Sequence, residues 1–185
     1  MSQMTSKQRM KAAMSGEKPD QIPLMCQFSL GYLAQHSHMD LIDFWYTPHG
    51  LAESYIRAAQ QYHFDGILVS ITGRDPGQKD TIKKVRRDQD GSCLVTFQTG
   101  QRYRIPRNDF PYSLEEEKNN RPSQIEELSP DDIRLPMTRE ELPPWAFNIL
   151  EEVLERKGGQ LSIHGEVGTA FEQYLGLFDR VENGL

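Results

Sequence analysis

Apolar positions recur at two different periods along the chain, and the switches between them mark out its parts. Thr5 and Gln8 stand at capping-box spacing, Met10, Ala13 and Met14 form an apolar stripe, and Gly16 ends it, so a short helix opens the chain. Pro19-Asp20 breaks the chain before 22–28, a mostly apolar segment of strand character. Residues 39–46 are apolar and aromatic and read as a helix. Thr47 is an N-cap followed by Pro48 at the first helical position. Leu51, Tyr55, Ala59 and Tyr62 then recur every three to four residues, predicting a helix over 48–62. The run Ile67-Leu68-Val69-Ser70-Ile71, between Gly66 and the loop Gly73-Arg74-Asp75-Pro76-Gly77, has the pattern of a parallel strand buried on both faces. The loop after such a strand is where α/β folds usually place chemistry.

The period then changes. Residues 82–106 alternate polar and apolar, with Asp90-Gly91 and Thr99-Gly100 as hairpin turns, which predicts a three-stranded antiparallel meander inserted at 79–107. Residues 113–143 are acidic and proline-bearing and read as a connecting arm. A helix follows: Thr138 and Glu141 have capping-box spacing, Pro143-Pro144 suits a start, Ala146, Ile149, Leu150, Val153 and Leu154 form the stripe, and Gly158-Gly159 ends it. Residues 161–164 are a short strand, and Gly165-Glu166-Val167-Gly168 opens a final helix reaching about 178. The order is an α/β pattern with one insertion.

Composition narrows the class. A chain of 185 residues, 37% hydrophobic, is expected to form one domain, or at most one domain carrying an extension, with a modest core. Its net charge of −6 makes nucleic acid an unexpected partner. No apolar run approaches the ~18 residues of a membrane span, and the amino terminus has no signal-peptide core, so a cytoplasmic protein is expected. Cys26 and Cys93 form neither a metal spacing nor a disulfide framework and read as packed or idle thiols. The segment 79–107 carries eight basic and three acidic residues, either a solvated face resting on an acidic neighbour or a surface for an anionic ligand.

Three stretches carry a resemblance. Thr5-Ser-Lys-Gln-Arg-Met-Lys-Ala-Ala-Met-Ser-Gly-Glu-Lys-Pro-Asp20-Gln-Ile-Pro23 resembles the amino-terminal signature of the uroporphyrinogen decarboxylase (URO-D) superfamily. The helix leading into Phe64-Asp65-Gly66-Ile67-Leu68 resembles it too, as does Ile163-His164-Gly165-Glu166-Val167-Gly168-Thr169-Ala170-Phe171. The resemblance covers 5–77 and 123–178 and implies a (β/α)8 TIM barrel with its site at the carboxyl ends of the strands. It implies one of two chemistries: cofactor-free decarboxylation of a tetrapyrrole, or methyl transfer between a cobamide and an acceptor, usually with zinc.

Two departures favour the second branch. The decarboxylases carry two substrate-holding arginines after the first strand, where this chain has Gln27 and Gly31 while keeping Tyr32-Leu33. Neither replacement supplies the bidentate guanidinium that a carboxylate-rich substrate needs. The decarboxylase aspartate falls at Gly66, with Asp65 one position earlier, and one residue along a strand reverses the face. Corrinoid (cobalamin) and zinc are therefore the cofactors implied for a complete parent. The chain reaches only to about the fourth strand of such a barrel, since a whole one takes ~250 residues. It is expected to be the amino-terminal half, truncated or paired with a corrinoid protein, a carboxyl-terminal half-barrel or a second copy. A non-catalytic cobamide- or partner-binding half-barrel is the reading from another class.

Candidate chemistry follows from position. Asp65 and His164 are the candidate acid/base residues, each with a structural alternative: Asp65 where the chain enters the buried strand, His164 bonded to backbone at a strand end. Gln27, Tyr32, Arg74, Asp75, Gly165, Glu166 and Gly168 are candidate substrate or cofactor contacts. Arg74 and Asp75 either meet a ligand or pair with each other, and Gly165 and Gly168 offer backbone N–H groups to an anion or simply allow close packing. His36-Ser37-His38 lacks a third metal ligand and reads as a polar loop.

Overall fold

The computed structural model describes residues 3–70, 73–115 and 142–166. The capping pair Thr138 and Glu141, nearly all of the acidic arm, Gly168 and the final helix lie outside the described residues. Every element below belongs to one compact unit, Met1–Leu114 with Trp145–Glu166.

Local signals set the helices. α1 (Ser6–Met14) starts at Thr5, whose hydroxyl accepts from the Gln8 N–H at 3.2 Å while the Gln8 side chain accepts from the Thr5 N–H at 2.9 Å. Its buried face is Arg9, Met10 and Ala12, not the stripe through Ala13 and Met14; Met14 is exposed. The pattern misleads because the most buried position on α1 is a charged one. β1 is short (Met25–Cys26). α2 (Leu30–His36), capped by Ser29, is a helix absent from the expected order. It takes in only His36 of the His36-Ser37-His38 stretch, stacked on Tyr32 with ring centroids 4.0 Å apart, and Ser37 and His38 follow it outside any helix or strand. α3 (Leu41–Tyr46) is capped by Asp40 and buries five of its six residues. α4 (Pro48–Gln61) begins at Thr47, whose hydroxyl accepts from the Gly50 N–H at 2.9 Å and donates to the Asp43 carbonyl at 2.7 Å. At Gly50 a Cβ would stand 2.1 Å from that carbonyl oxygen, so glycine is what lets α4 turn off the end of α3.

β2 (Gly66–Ser70) lies between β1 and the last described strand, Ser162–Glu166, all parallel, in spatial order β1-β2-β7. Chain order and spatial order coincide, which separates the sheet from doubly wound folds that place their first strand between the second and third. Ile67 and Val69 point into a core closed by α4 (Leu51, Tyr55, Ala59) and by α5 (Asn148–Lys157, through Ile149 and Val153). Leu68 and its lateral neighbour His164 turn to the opposite, half-buried face. α5 starts four residues past Pro144 on an N-cap, Phe147, with no side-chain bond, and Leu154 is exposed rather than part of the buried stripe.

Between β2 and α5 the chain forms a four-stranded antiparallel sheet: β3 (Ile82–Arg87), β4 (Cys93–Phe97), β5 (Arg102–Ile105) and β6 (Tyr112–Ser113). β6 adds a strand to the expected three, at the start of the segment read as an arm. Cys93, Val95, Phe97 and Ile105 face inward and join the same core as the helices. Cys93 is fully buried and burial pushes its thiol up, away from the reactive thiolate. The basic excess is partly neutralised at the contact with α3, where Arg87 pairs with Asp40 at 2.6 Å and Lys79 with Asp43.

One ion cluster ties α1 to the amino end of β2. Arg9 Nε donates to Asp20 Oδ1 at 2.7 Å, Nη1 to Asp65 Oδ1, and Nη2 to the Met4 carbonyl at 3.0 Å. The hydrogen bond from Arg9, helped by the Met4 N–H, holds the Asp20 carboxyl at about 2, below its ordinary 3.8. A carboxylate held low stabilises the fold above its ordinary range, and that contribution fades as pH falls through its native value. Stability against urea is therefore expected to drop between about pH 4 and pH 2, and the drop to be shallower in Asp20→Asn. Identical curves for the two proteins would contradict the assignment.

Candidate functional site

The loop leaving the carboxyl end of β2 carries Arg74, and the residues that lead into α5 fix its backbone. The Gly73 N–H donates to the Ala146 carbonyl at 2.6 Å. The Asn148 amide grips the next residue from both sides: Oδ1 accepts from the Arg74 N–H at 3.2 Å and Nδ2 donates to the Arg74 carbonyl at 2.7 Å. A Cβ at Gly73 would stand 1.9 Å from the Trp145 carbonyl oxygen, so only glycine permits the approach.

The Arg74 side chain runs from this clamp into a cavity of about 620 Å³ between α3, the loop and the inner edge of the meander. That volume is within the range of small-molecule sites, roughly 300–1,000 Å³. Trp45, Tyr46, Phe97, Tyr103 and Phe110 wall it with aromatic rings, and the guanidinium carbon lies 6.0 Å from the Trp45 ring centre. Tyr46 meets Phe97 edge-on at 5.5 Å, and Phe97 meets Tyr103 edge-on at 5.7 Å.

Two donors here are unsatisfied. Arg74 Nε and Trp45 Nε1 are both buried, and neither has a hydrogen-bond partner among the described residues. A buried donor left unpaired costs about 1–3 kcal/mol, which makes each a place where an acceptor is missing. Burial lowers the Arg74 pKa, and no carboxylate among the described residues pairs with it. Burial pushes the Tyr46 phenol up to about 12, so it stays neutral and able to donate at ordinary pH. Among the described residues the wall contains no Asp, Glu, His, Cys or Lys side chain, and its one cation gives the cavity the makings of anion binding.

The other sequence-predicted residues are not brought together here. Asp75 does not pair with Arg74; its Oδ1 accepts from the Gly77 N–H at 2.8 Å and holds the turn. Asp65 lies at the amino end of β2, the end opposite Arg74, 3% exposed; Oδ1 accepts from Arg9 and Oδ2 from the Leu24 N–H at 3.0 Å. That environment gives it a structural task. His164 Nε2 bonds to Ser162 Oγ at 2.8 Å within β7. Gly165 pairs with Val69 and Glu166 with Ser70, because β7 runs two residues beyond the expected strand; neither opens a helix. Gln27 and Tyr32 line a separate open groove of about 400 Å³ with Cys26, Phe28, Tyr62 and Phe64, where the Tyr32 and Tyr62 hydroxyls share a hydrogen bond.

The aromatic wall went unread in the sequence as a site. Its signals were present: Trp45-Tyr46 closes the aromatic segment 39–46, and Phe97 and Tyr103 fall on the inward phase of the meander. Asn148 had none, since it meets Arg74 only through the fold. Comparison with protein families, curated proteins and solved structures yields no match for this chain. The class that fold and site define is thus a mixed α/β protein with a parallel three-stranded sheet, an inserted antiparallel four-stranded sheet, and a cationic aromatic cavity between α3, the loop after β2 and the inserted sheet. No described helix is long and apolar enough to cross a membrane.

Proposed function

We propose that this chain carries the opening strands of a URO-D-like (β/α)8 barrel of the corrinoid-dependent methyltransferase branch, and that its own part is to hold a small organic anion in the Arg74 cavity. The observation that carries the reading is the buried Arg74 Nε, without an acceptor among the described residues, on a backbone clamped at the carboxyl end of the middle parallel strand and beside an aromatic wall. Barrel enzymes bind their substrates at that end. The decarboxylase alternative loses ground at Gly31, where even a Cβ would stand 2.3 Å from the Asn108 carbonyl oxygen, leaving no room for an arginine side chain.

The resident groups of the methyltransferase branch find no seat among the described residues. No three His, Cys, Asp or Glu side chains stand close enough to share a metal ion, and the cavity is of a size for one small ligand rather than a corrin ring with its nucleotide arm. No step through zinc or corrin is therefore derived for these residues. In this reading the corrinoid protein, or a carboxyl-terminal half-barrel, is the partner that covers the Leu68 and His164 face.

The test incubates the full chain with uroporphyrinogen and, separately, titrates it with benzoate while following tryptophan fluorescence. The expected result is no loss of carboxylate from the tetrapyrrole and a saturable fluorescence change with benzoate. Decarboxylation of uroporphyrinogen would overturn the branch, and a flat benzoate titration would overturn the site.

A further inference from the structure

We infer that the ligand of the Arg74 cavity is a flat, ring-bearing monocarboxylate. This rests on the reading of the cavity as a binding site, and extends it from an anion in general to one chemical class.

Charge fixes the first part. Arg74 is the only charged side chain in the wall among the described residues, and Lys79 and Asp75, close to it in sequence, are engaged elsewhere: Lys79 with Asp43, and Asp75 with the Gly77 N–H. One cation with no counter-charge matches one negative charge. A phosphomonoester, carrying close to two charges at neutral pH, would sit against this single cation with about one of them unmatched. A carboxylate also suits the donors: it accepts from a guanidinium in a planar fork, and its remaining lone pairs suit single N–H groups such as the Trp45 indole.

Shape fixes the second part. The edge-on pairs Tyr46–Phe97 and Phe97–Tyr103 leave ring faces unstacked on one another, and Trp45 and Phe110 meet at a 48° tilt with centroids 5.2 Å apart. Such walls favour a guest ring in offset or edge contact. The remaining polar wall, Gln78, Thr81, Thr99 and Gln101, is neutral and can take ring substituents by hydrogen bonding without demanding a second charge. The half-exposed Phe110 stands at the rim, where a ring enters.

The experiment titrates the full chain by calorimetry with naphthoate, its neutral isostere naphthamide, and phenyl phosphate, and repeats the series on Arg74→Met. The expected result is saturable binding of naphthoate, about tenfold or more weaker binding of the amide and the phosphate, and loss of the acid-over-amide preference in the variant. Phenyl phosphate binding as well as naphthoate would overturn the carboxylate class while leaving the cavity an anion site. Equal affinity for acid and amide in the wild type would overturn the role of Arg74. No binding by any probe would overturn the site itself.

Discussion

Arg74→Met is expected to make the protein more heat-stable while removing its affinity for small organic anions. The Nε of Arg74 is buried with no acceptor among the described residues, no carboxylate among them pairs with the guanidinium, and burial lowers its pKa. A buried charge without a partner opposes folding, whereas an apolar side chain of similar length fills the same space without that penalty. The contact with the Trp45 ring offsets part of the cost, about 0.5–2 kcal/mol. A net gain on the order of 1 kcal/mol corresponds to a rise of about 2–4 °C for a domain of this size. Differential scanning calorimetry without ligand measures the first half and the naphthoate titration the second. A fall in Tm with affinity retained would show that Arg74 is a packing residue and that the anion sits elsewhere.

The second large effect is expected at the other end of β2. Asp65→Ala leaves Arg9, itself 4% exposed, with Asp20 as its sole carboxylate and strips the Leu24 N–H of its acceptor. Removing one member of a buried ion pair is strongly destabilising, and a fall in Tm of roughly 10 °C is expected. Naphthoate affinity, measured below the new transition, is expected to stay within about twofold, because sites without shared partners behave independently. A stable variant with ligand binding abolished would return Asp65 to the functional site.

The two residues show what the sequence makes legible. Asp65 stands out in a sequence because a carboxylate at the mouth of a buried strand suits catalysis and structure equally, and what decides is a partner, Arg9, fifty-six positions away. The helices announced themselves where the chemistry is local: the Thr5 capping box and the Thr47-Pro48 start both appear as the spacing predicts. α2 escaped because Leu30, Leu33 and Ala34 give a single apolar turn in a seven-residue segment interrupted by Gly31, and β6 because a two-residue strand has no alternation. Arg74 was legible as a candidate from its place after a buried strand. Its meaning was not, because Asn148, Trp45 and Phe97 come from three other elements and converge only in the folded chain.

The most direct test of the central claim, that Arg74 and Trp45 anchor an anion at the carboxyl end of β2, is nitrogen-15 NMR of their side-chain N–H groups in the full chain during a naphthoate titration. Trp145→Phe assigns the indole signals, since the chain has two tryptophans. The account predicts that Arg74 Nε–H and Trp45 Nε1–H, the two buried side-chain donors without an acceptor among the described residues, shift together and saturate with the binding curve. Saturable naphthoate binding that leaves both signals in place would contradict it and send the search to the groove of Gln27 and Tyr32.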